Sequence, residues 1–290
     1  MLTEQYSGYS NLILGNSHVM PFNENEVHGS INLAQEGGTY RTAYFKLLKI
    51  ADINNISNVI LGCSYQNFSH TQDKILNENL EQVYRIYPLV NFKTLVLNSP
   101  NKLQLLKVLT REILTPNMPI LCRYLTNKNF MSIASFDSNK IYKSRKILKL
   151  EFERINSGRG NYLRKMKTKK FQDRIVTKLK YNFFDNDSTQ YLSSLSINYL
   201  DKMALFCRKN GINLYLVKTP LVPNYKNNIP EYYKRSYNEI INRLVENDNV
   251  TFVDFCDLYD DDLSMFRDEE HVLPYCGILL SQRIDSILNI

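Results

Sequence analysis

Residues 11–18 read Asn-Leu-Ile-Leu-Gly-Asn-Ser-His. An apolar run stops at Gly15 and delivers three polar side chains in a row. A buried strand reaching the edge of a sheet has this form, because its apolar residues need cover on both faces and its end needs a turn. The same form returns at Asn58–Gly62 (NVILG), followed by Cys63-Ser64. Between the two lie Ser30 to Ala34 (SINLA) and then Gln35-Glu36-Gly37-Gly38-Thr39. From Tyr40 to about Asp52, Ala43, Tyr44, Leu47, Leu48 and Ala51 recur at helical spacing. Strand, helix, strand in so short a span predicts a βαβ unit and a parallel sheet.

The pattern resumes late in the chain. A helix is expected from about Thr189 to Asn210, a strand over Ile212–Val217 and a helix over residues 231–246. A last strand is expected over Val250–Phe255 and a closing helix over Pro274–Leu288. The expected fold is a three-layer α/β/α sandwich with a central parallel sheet, built from residues 1–70 and 190–290. Residues 71–189, rich in leucine and poor in glycine over 75–135, are expected to form a large helical insertion.

Bulk properties remove several function classes. The chain has 290 residues, 43% of them hydrophobic, so a sizeable core can be buried. No apolar stretch reaches the ~18–20 residues that span a bilayer. The start, MLTEQYSGYSNL, has no basic or apolar targeting region, so a cytoplasmic location is expected. The five cysteines are odd in number, widely spaced and without a CxxC pair. A disulfide framework or zinc ribbon is not expected, and core positions are. No HxH, HExxH or Cys/His cluster occurs, so no metal and no cofactor are expected.

Residues 140–180 carry fifteen Lys or Arg against Glu151, Glu153 and Asp173. That local +12 exceeds the chain's net +7, so the remainder is acidic. The segment reads as a solvated helical face. It also reads as a site for an acidic glycan, a nucleotide-bearing acyl donor or an anionic phospholipid surface, which would make the chain membrane-peripheral. Tyr142, Phe152, Tyr162 and Phe171 are spaced for packing and not as a base-stacking platform, so no nucleic-acid partner is expected.

A parallel sheet gathers its strand ends at one edge. That edge would bring together Asn16-Ser17-His18, Gly37-Gly38, Ser64 and the segment Asp268-Glu269-Glu270-His271. Serine is a weak nucleophile until a base takes its proton. His271 can be that base, and Asp268, three residues earlier, can hold its tautomer and stabilise its cation. The oxyanion would be met by N–H of Ser17 and of Gly38, with Ser64 or Asn67 as third donor. Asn16, His18 and Gly37 would line the pocket. The plainer readings are that Ser17 caps a helix, that Asp268 caps the last helix, and that His18 is a packed strand-end side chain. His28 and His70 read as surface loop residues, and Cys63 as core.

This ordered set resembles the SGNH, or GDSL, hydrolase superfamily of esterases and acyltransferases. Gly15-Asn16-Ser17-His18 stands where that family has its nucleophile motif, with Asn16 for the usual aspartate. Asp268-Glu269-Glu270-His271 matches its DxxH, and Gly37 or Gly38 its second motif. Where the family has Gly-x-Asn, this chain has Gly62-Cys63-Ser64. Gly277 lies slightly later than the family's helix glycine. The resemblance covers both flanking blocks and not the insertion. It implies a flavodoxin-like fold and an acyl-serine intermediate. The implied substrate is a small acyl ester or an acylated carbohydrate, chiefly an O-acetyl group, in bacterial surface-polysaccharide modification. The rival expectation is a non-catalytic protein that keeps the fold and binds an acidic glycan or assembly partners.

Overall fold

The computed structural model describes residues 8–52, 54–69, 71, 168–185, 188–189 and 191–289. The first block contributes β1 (Asn11–Leu14), β2 (Ser30–Asn32), α1 (Tyr40–Ala51) and β3 (Asn58–Gly62). Then come α2 (Lys169–Phe183) and the short strands β4 (Phe184–Asp185) and β5 (Ser188–Thr189). The last block holds α3 (Ser194–Lys209), β6 (Asn213–Lys218), α4 (Pro223–Asn227), α5 (Glu231–Val245), β7 (Val250–Asp254) and α6 (Pro274–Leu288).

Five strands form one parallel sheet in the order β2-β1-β3-β6-β7. Leu12, Ile13, Leu14, Val59, Ile60 and Leu61 are fully buried, as strands covered on both faces must be. The register is marked at the amino edge by paired asparagines. Asn58 Nδ2 donates to Asn11 Oδ1 at 2.7 Å, and Asn213 Nδ2 donates to Asn58 Oδ1 at 3.0 Å. A slip of one residue would break this ladder and turn each apolar side chain to the wrong face.

Strand order also places the helices. The step from β1 to β2 runs one way across the sheet, and every later step runs the other way. Right-handed crossovers therefore put residues 15–29 on one face and α1, α3 and α5 on the other. In agreement, α3 packs between α1 and α5. Helix α6 joins the 15–29 face. Asn23 N–H donates to Ser281 Oγ and His28 N–H to Asp285 Oδ1, each at 2.8 Å. The result is two helical layers around one sheet.

Local chemistry sets the helix starts. Thr39 Oγ1 accepts from Thr42 N–H at the head of α1, and Ser193 Oγ from Ser196 N–H at the head of α3. Pro274 opens α6, where its missing N–H costs nothing.

The five strands of the main sheet lie within residues 11–62 and 213–254. Of the expected helical insertion, α2 and the β4–β5 pair are described, and most of the rest (72–167), with Cys122, lies outside the described residues, as does His70. Among the described residues no helix is long and apolar enough to cross a membrane. Among the described residues Cys63, Cys207, Cys256 and Cys276 are buried and none is in a disulfide, and His28 is exposed.

Candidate active site

The carboxyl edge of the sheet carries the polar side chains. Strand β1 ends at Gly15, whose φ of +138° is a conformation side chains rarely adopt. A Cβ there would lie 2.8 Å from Val19 Cγ2 and 3.2 Å from the Gly62 nitrogen. The chain can therefore turn tightly over the end of β3. The turn is closed by Asn16, whose Oδ1 accepts from His18 N–H at 3.1 Å and whose carbonyl accepts from Val19 N–H at 3.3 Å. Ser17 is held at its tip.

The partner comes from the other end of the chain. After β7 the backbone runs to an antiparallel bridge between Phe266 and Val272. That bridge encloses a loop in which Arg267 N–H donates to the His271 carbonyl at 2.8 Å. Inside it, Asp268 Oδ1 accepts from Glu270 N–H at 3.1 Å and His271 N–H at 2.9 Å. The same oxygen meets His271 Nδ1 at 2.8 Å. His271 Nε2 lies 2.8 Å from Ser17 Oγ.

The proton positions follow from the partners. An ionised carboxylate can only accept, so Nδ1 of His271 carries hydrogen. Nε2 of the neutral ring then has a lone pair directed at the Ser17 hydroxyl. Burial alone would raise the Asp268 pKa. Its bonds to His271, the nearby Arg267 and the Glu270 N–H outweigh that and hold it well below the usual carboxylate range. The group is therefore a lasting anion under the imidazole.

His18 is the second ring of the site. It stacks on His271 with centroids 4.5 Å apart and planes at 14°. Its Nδ1 lies 2.8 Å from the Glu270 carbonyl, which can only accept, so the proton is on Nδ1. Burial lowers its pKa to about 3, assisted by His271 and opposed by Glu270 and Asp268. The ring is neutral at physiological pH.

Behind the turn stands a charge network that sequence reasoning did not foresee. Glu269 and Glu270 are as buried as the core. Arg174 Nε donates to Glu269 Oε1 at 3.0 Å, and its Nη2 lies 3.6 Å from Asp268 Oδ2. Lys178 Nζ lies 3.1 Å from Glu270 Oε2. Glu270 Oε1 accepts from Tyr225 Oη at 2.6 Å and Asn182 Nδ2 at 2.7 Å. The sequence signals were a run of three acids and, some 90 residues earlier, a basic helix, which do not say which charges meet.

The structure thus brings Ser17, His18, Asp268 and His271 together. It shows other partners for the remaining candidates. Gly38 N–H donates to the Gln35 carbonyl at 3.0 Å, closing a turn whose third residue, Gly37, is exposed. Gly38 presses on the loop that carries Ser17, since a Cβ there would lie 2.4 Å from the Gly15 carbonyl oxygen. Ser64 is fully buried, and its hydroxyl is 3.1 Å from Thr219 Oγ1. Asn67 Oδ1 accepts from Ser64 N–H at 2.8 Å, so the donor left to that amide is Nδ2. Burial pushes the Cys63 thiol up to about 12, so it is no nucleophile at neutral pH. Among the described residues no cluster of His, Cys, Asp and Glu is arranged to hold a metal ion.

Comparison with known proteins adds little. A family model that carries no descriptive name matches residues 161–286, under half of the chain. No curated protein matches. One solved chain from Streptococcus pneumonia, described as "a putative platelet activating factor", aligns over 99% of this chain and 91% of its own. It is 10% identical, with a TM-score of 0.42.

Proposed function

We propose that the chain is a serine acyl-transfer enzyme of the SGNH type, an esterase or O-acyltransferase acting on an acyl ester of a carbohydrate. The observation that supports it best is the relay Ser17 Oγ, His271 Nε2, His271 Nδ1, Asp268 Oδ1, with 2.8 Å at both contacts. Ser17 Oγ attacks the acyl carbonyl and its proton passes to His271 Nε2. The tetrahedral intermediate collapses to an acyl-serine as the leaving alcohol takes that proton. Water or a sugar hydroxyl then attacks and gives its proton to His271; the second tetrahedral intermediate collapses as His271 returns that proton to Ser17 Oγ, and the acid or the new ester leaves. Asp268 stabilises the imidazolium throughout.

The oxyanion donors in this reading are Ser17 N–H and Asn67 Nδ2. Gly38 N–H joins them if its turn opens, because the Gln35 carbonyl holds it otherwise. That commitment is also the observation that favours the second reading, a binding protein that keeps the fold without the reaction. The carbohydrate rests on the family resemblance, with acetyl as the acyl group it favours.

The discriminating experiment is labelling by a fluorophosphonate probe. We expect wild type to label and Ser17→Ala and His271→Ala to stay unlabelled. A folded wild type that resists the probe and leaves small acetyl esters untouched favours the binding protein.

A further inference from the structure

Helix α2 presents one polar stripe to the turn that carries His271. Arg174, Lys178 and Asn182 are spaced i, i+4, i+8, so they lie on one face, one above the next. Arg174 reaches Glu269 and Asp268, Lys178 reaches Glu270, and Asn182 reaches Glu270 together with Tyr225. None of the three touches Ser17 or His271. Every carboxylate of Asp268-Glu269-Glu270 thus has a partner on this helix.

The need for such a partner is physical. Glu269 and Glu270 are buried, and an unpaired buried carboxylate is costly. Glu269 Oε2 has no hydrogen-bond partner, so its hold on the helix is Arg174 through Oε1. The peptide between the two acids and His271 also matters, because the Glu270 carbonyl carries the proton-bearing edge of His18. Moving Glu270 therefore moves the ring stacked on His271.

We propose that Arg174 and Lys178 are positioning residues that fix the Asp268–His271 turn and set the charge felt by the imidazole. The proposal rests on the reading of Ser17 as a nucleophile, and its test separates the two. The groups that face His271 are Asp268, Glu270 and Arg267 of its own turn, Ser17 and His18 of the nucleophile loop, and Arg174 and Lys178 behind. Glu269 and Tyr225 stand in the next shell. Removing the two cations of α2 leaves the carboxylates in excess, which favours the protonated ring.

The test is the pH dependence of fluorophosphonate labelling for wild type and for Arg174→Gln combined with Lys178→Gln. We expect the rate to fall about tenfold or more, and its acid limb to move to higher pH by about half a unit or more. Arg174→Lys and Lys178→Arg should keep the wild-type limb. A merely structural role would lower the melting temperature and leave the limb in place. Should the double variant not fold, Arg174→Gln with Glu269→Gln removes the pair without stranding a buried charge, and Lys178→Gln tests the other contact. An unshifted limb at an unchanged rate overturns the proposal. If wild type does not label, the nucleophile reading falls instead. The clamp is then read from the His271 Nδ1 proton resonance in the same variants: broadening by solvent exchange supports it, and an unaltered signal overturns it.

Discussion

The neutral, buried His18 makes stability depend on pH in a way that can be calculated. Its folded-state pKa is held at about 3, against 6.5 for an unhindered imidazole. The unfolded chain therefore takes up a proton at this ring as pH falls through 6.5, while the folded chain does not. The stability involved is fully present above the unfolded value and is lost from there down to about pH 3. One unit of pKa difference corresponds to ~1.4 kcal/mol, so the full loss is about 5 kcal/mol. The part lost by pH 5 is about 2 kcal/mol, a sizeable fraction of the ~5–15 kcal/mol that stabilises a typical domain. The informative substitution is His18→Asn, whose amide can still donate to the Glu270 carbonyl but cannot titrate. Urea unfolding followed by circular dichroism at pH 7, 6 and 5 would be run on both proteins. Wild type should lose about 2 kcal/mol more than the variant between pH 7 and 5. Parallel losses would refute the reasoning, since His18 would then be open to protons in the folded state.

Three further substitutions test separate parts of the site. Asp268→Asn should leave a folded protein whose fluorophosphonate labelling is about a thousandfold slower or worse, because the anion under the imidazole is gone; a rate near wild type would remove Asp268 from the relay. Asn67→Asp keeps an acceptor for Ser64 N–H but loses the Nδ2 donor, so in the folded variant labelling should slow by about 10²-fold, with some loss of melting temperature because the new carboxylate is buried. An equal rate would exclude Asn67 as an oxyanion donor. Gly38→Ala places a methyl group 2.4 Å from the Gly15 oxygen and 2.9 Å from the Gln35 oxygen, both backbone atoms. Thermal unfolding should show a loss of about 3 kcal/mol or more, and an unchanged midpoint would mean that this loop is not packed as described.

The sheet was legible because it depends on short-range patterns. Apolar runs that stop at a glycine marked β1 and β3, and Asn58–Gly62 was read with its observed bounds. Pro274 marked the start of α6 for a local reason, the proline at its first turn. The short α4 and the 3-10 turn at Tyr65–Phe68 passed unnoticed, since a few residues give no periodicity to read. The proximity of Ser17 and His271 could be argued, because a parallel sheet sends its strand ends to one edge. The hydrogen-bond state of that edge could not. Whether Gly38 N–H faces a substrate or Gln35 depends on one turn's geometry, which the order Gly37-Gly38 does not specify. The basic helix was the hardest case. Lys169, Lys170 and Lys180 are exposed, as a solvated face requires, while Arg174 and Lys178 turn inward. Nothing in the local sequence separates the two sets, because the buried acids they meet are some 90 residues away.

Those inward cations bear on why three consecutive carboxylates can sit under an imidazole proposed as a general base. A general base beside three anions would hold its proton too firmly to return it to a leaving alcohol. In this molecule the excess is divided. Arg174 faces Glu269 and Lys178 faces Glu270, which leaves Asp268 as the anion bonded to the ring. Burial raises the pKa of Glu269, reinforced by Asp268 and opposed by Arg174, so its charge depends on that arginine. His18 adds no charge, because its buried ring stays neutral, yet it covers one face of His271 and limits the water that could compete for Nε2. A charged His18 would repel the imidazolium that the proposed acyl transfer forms. The same burial that makes His18 costly to protonate therefore also suits His271 to carry the proton, and both follow from anchoring the Glu270 carbonyl at the centre of the turn.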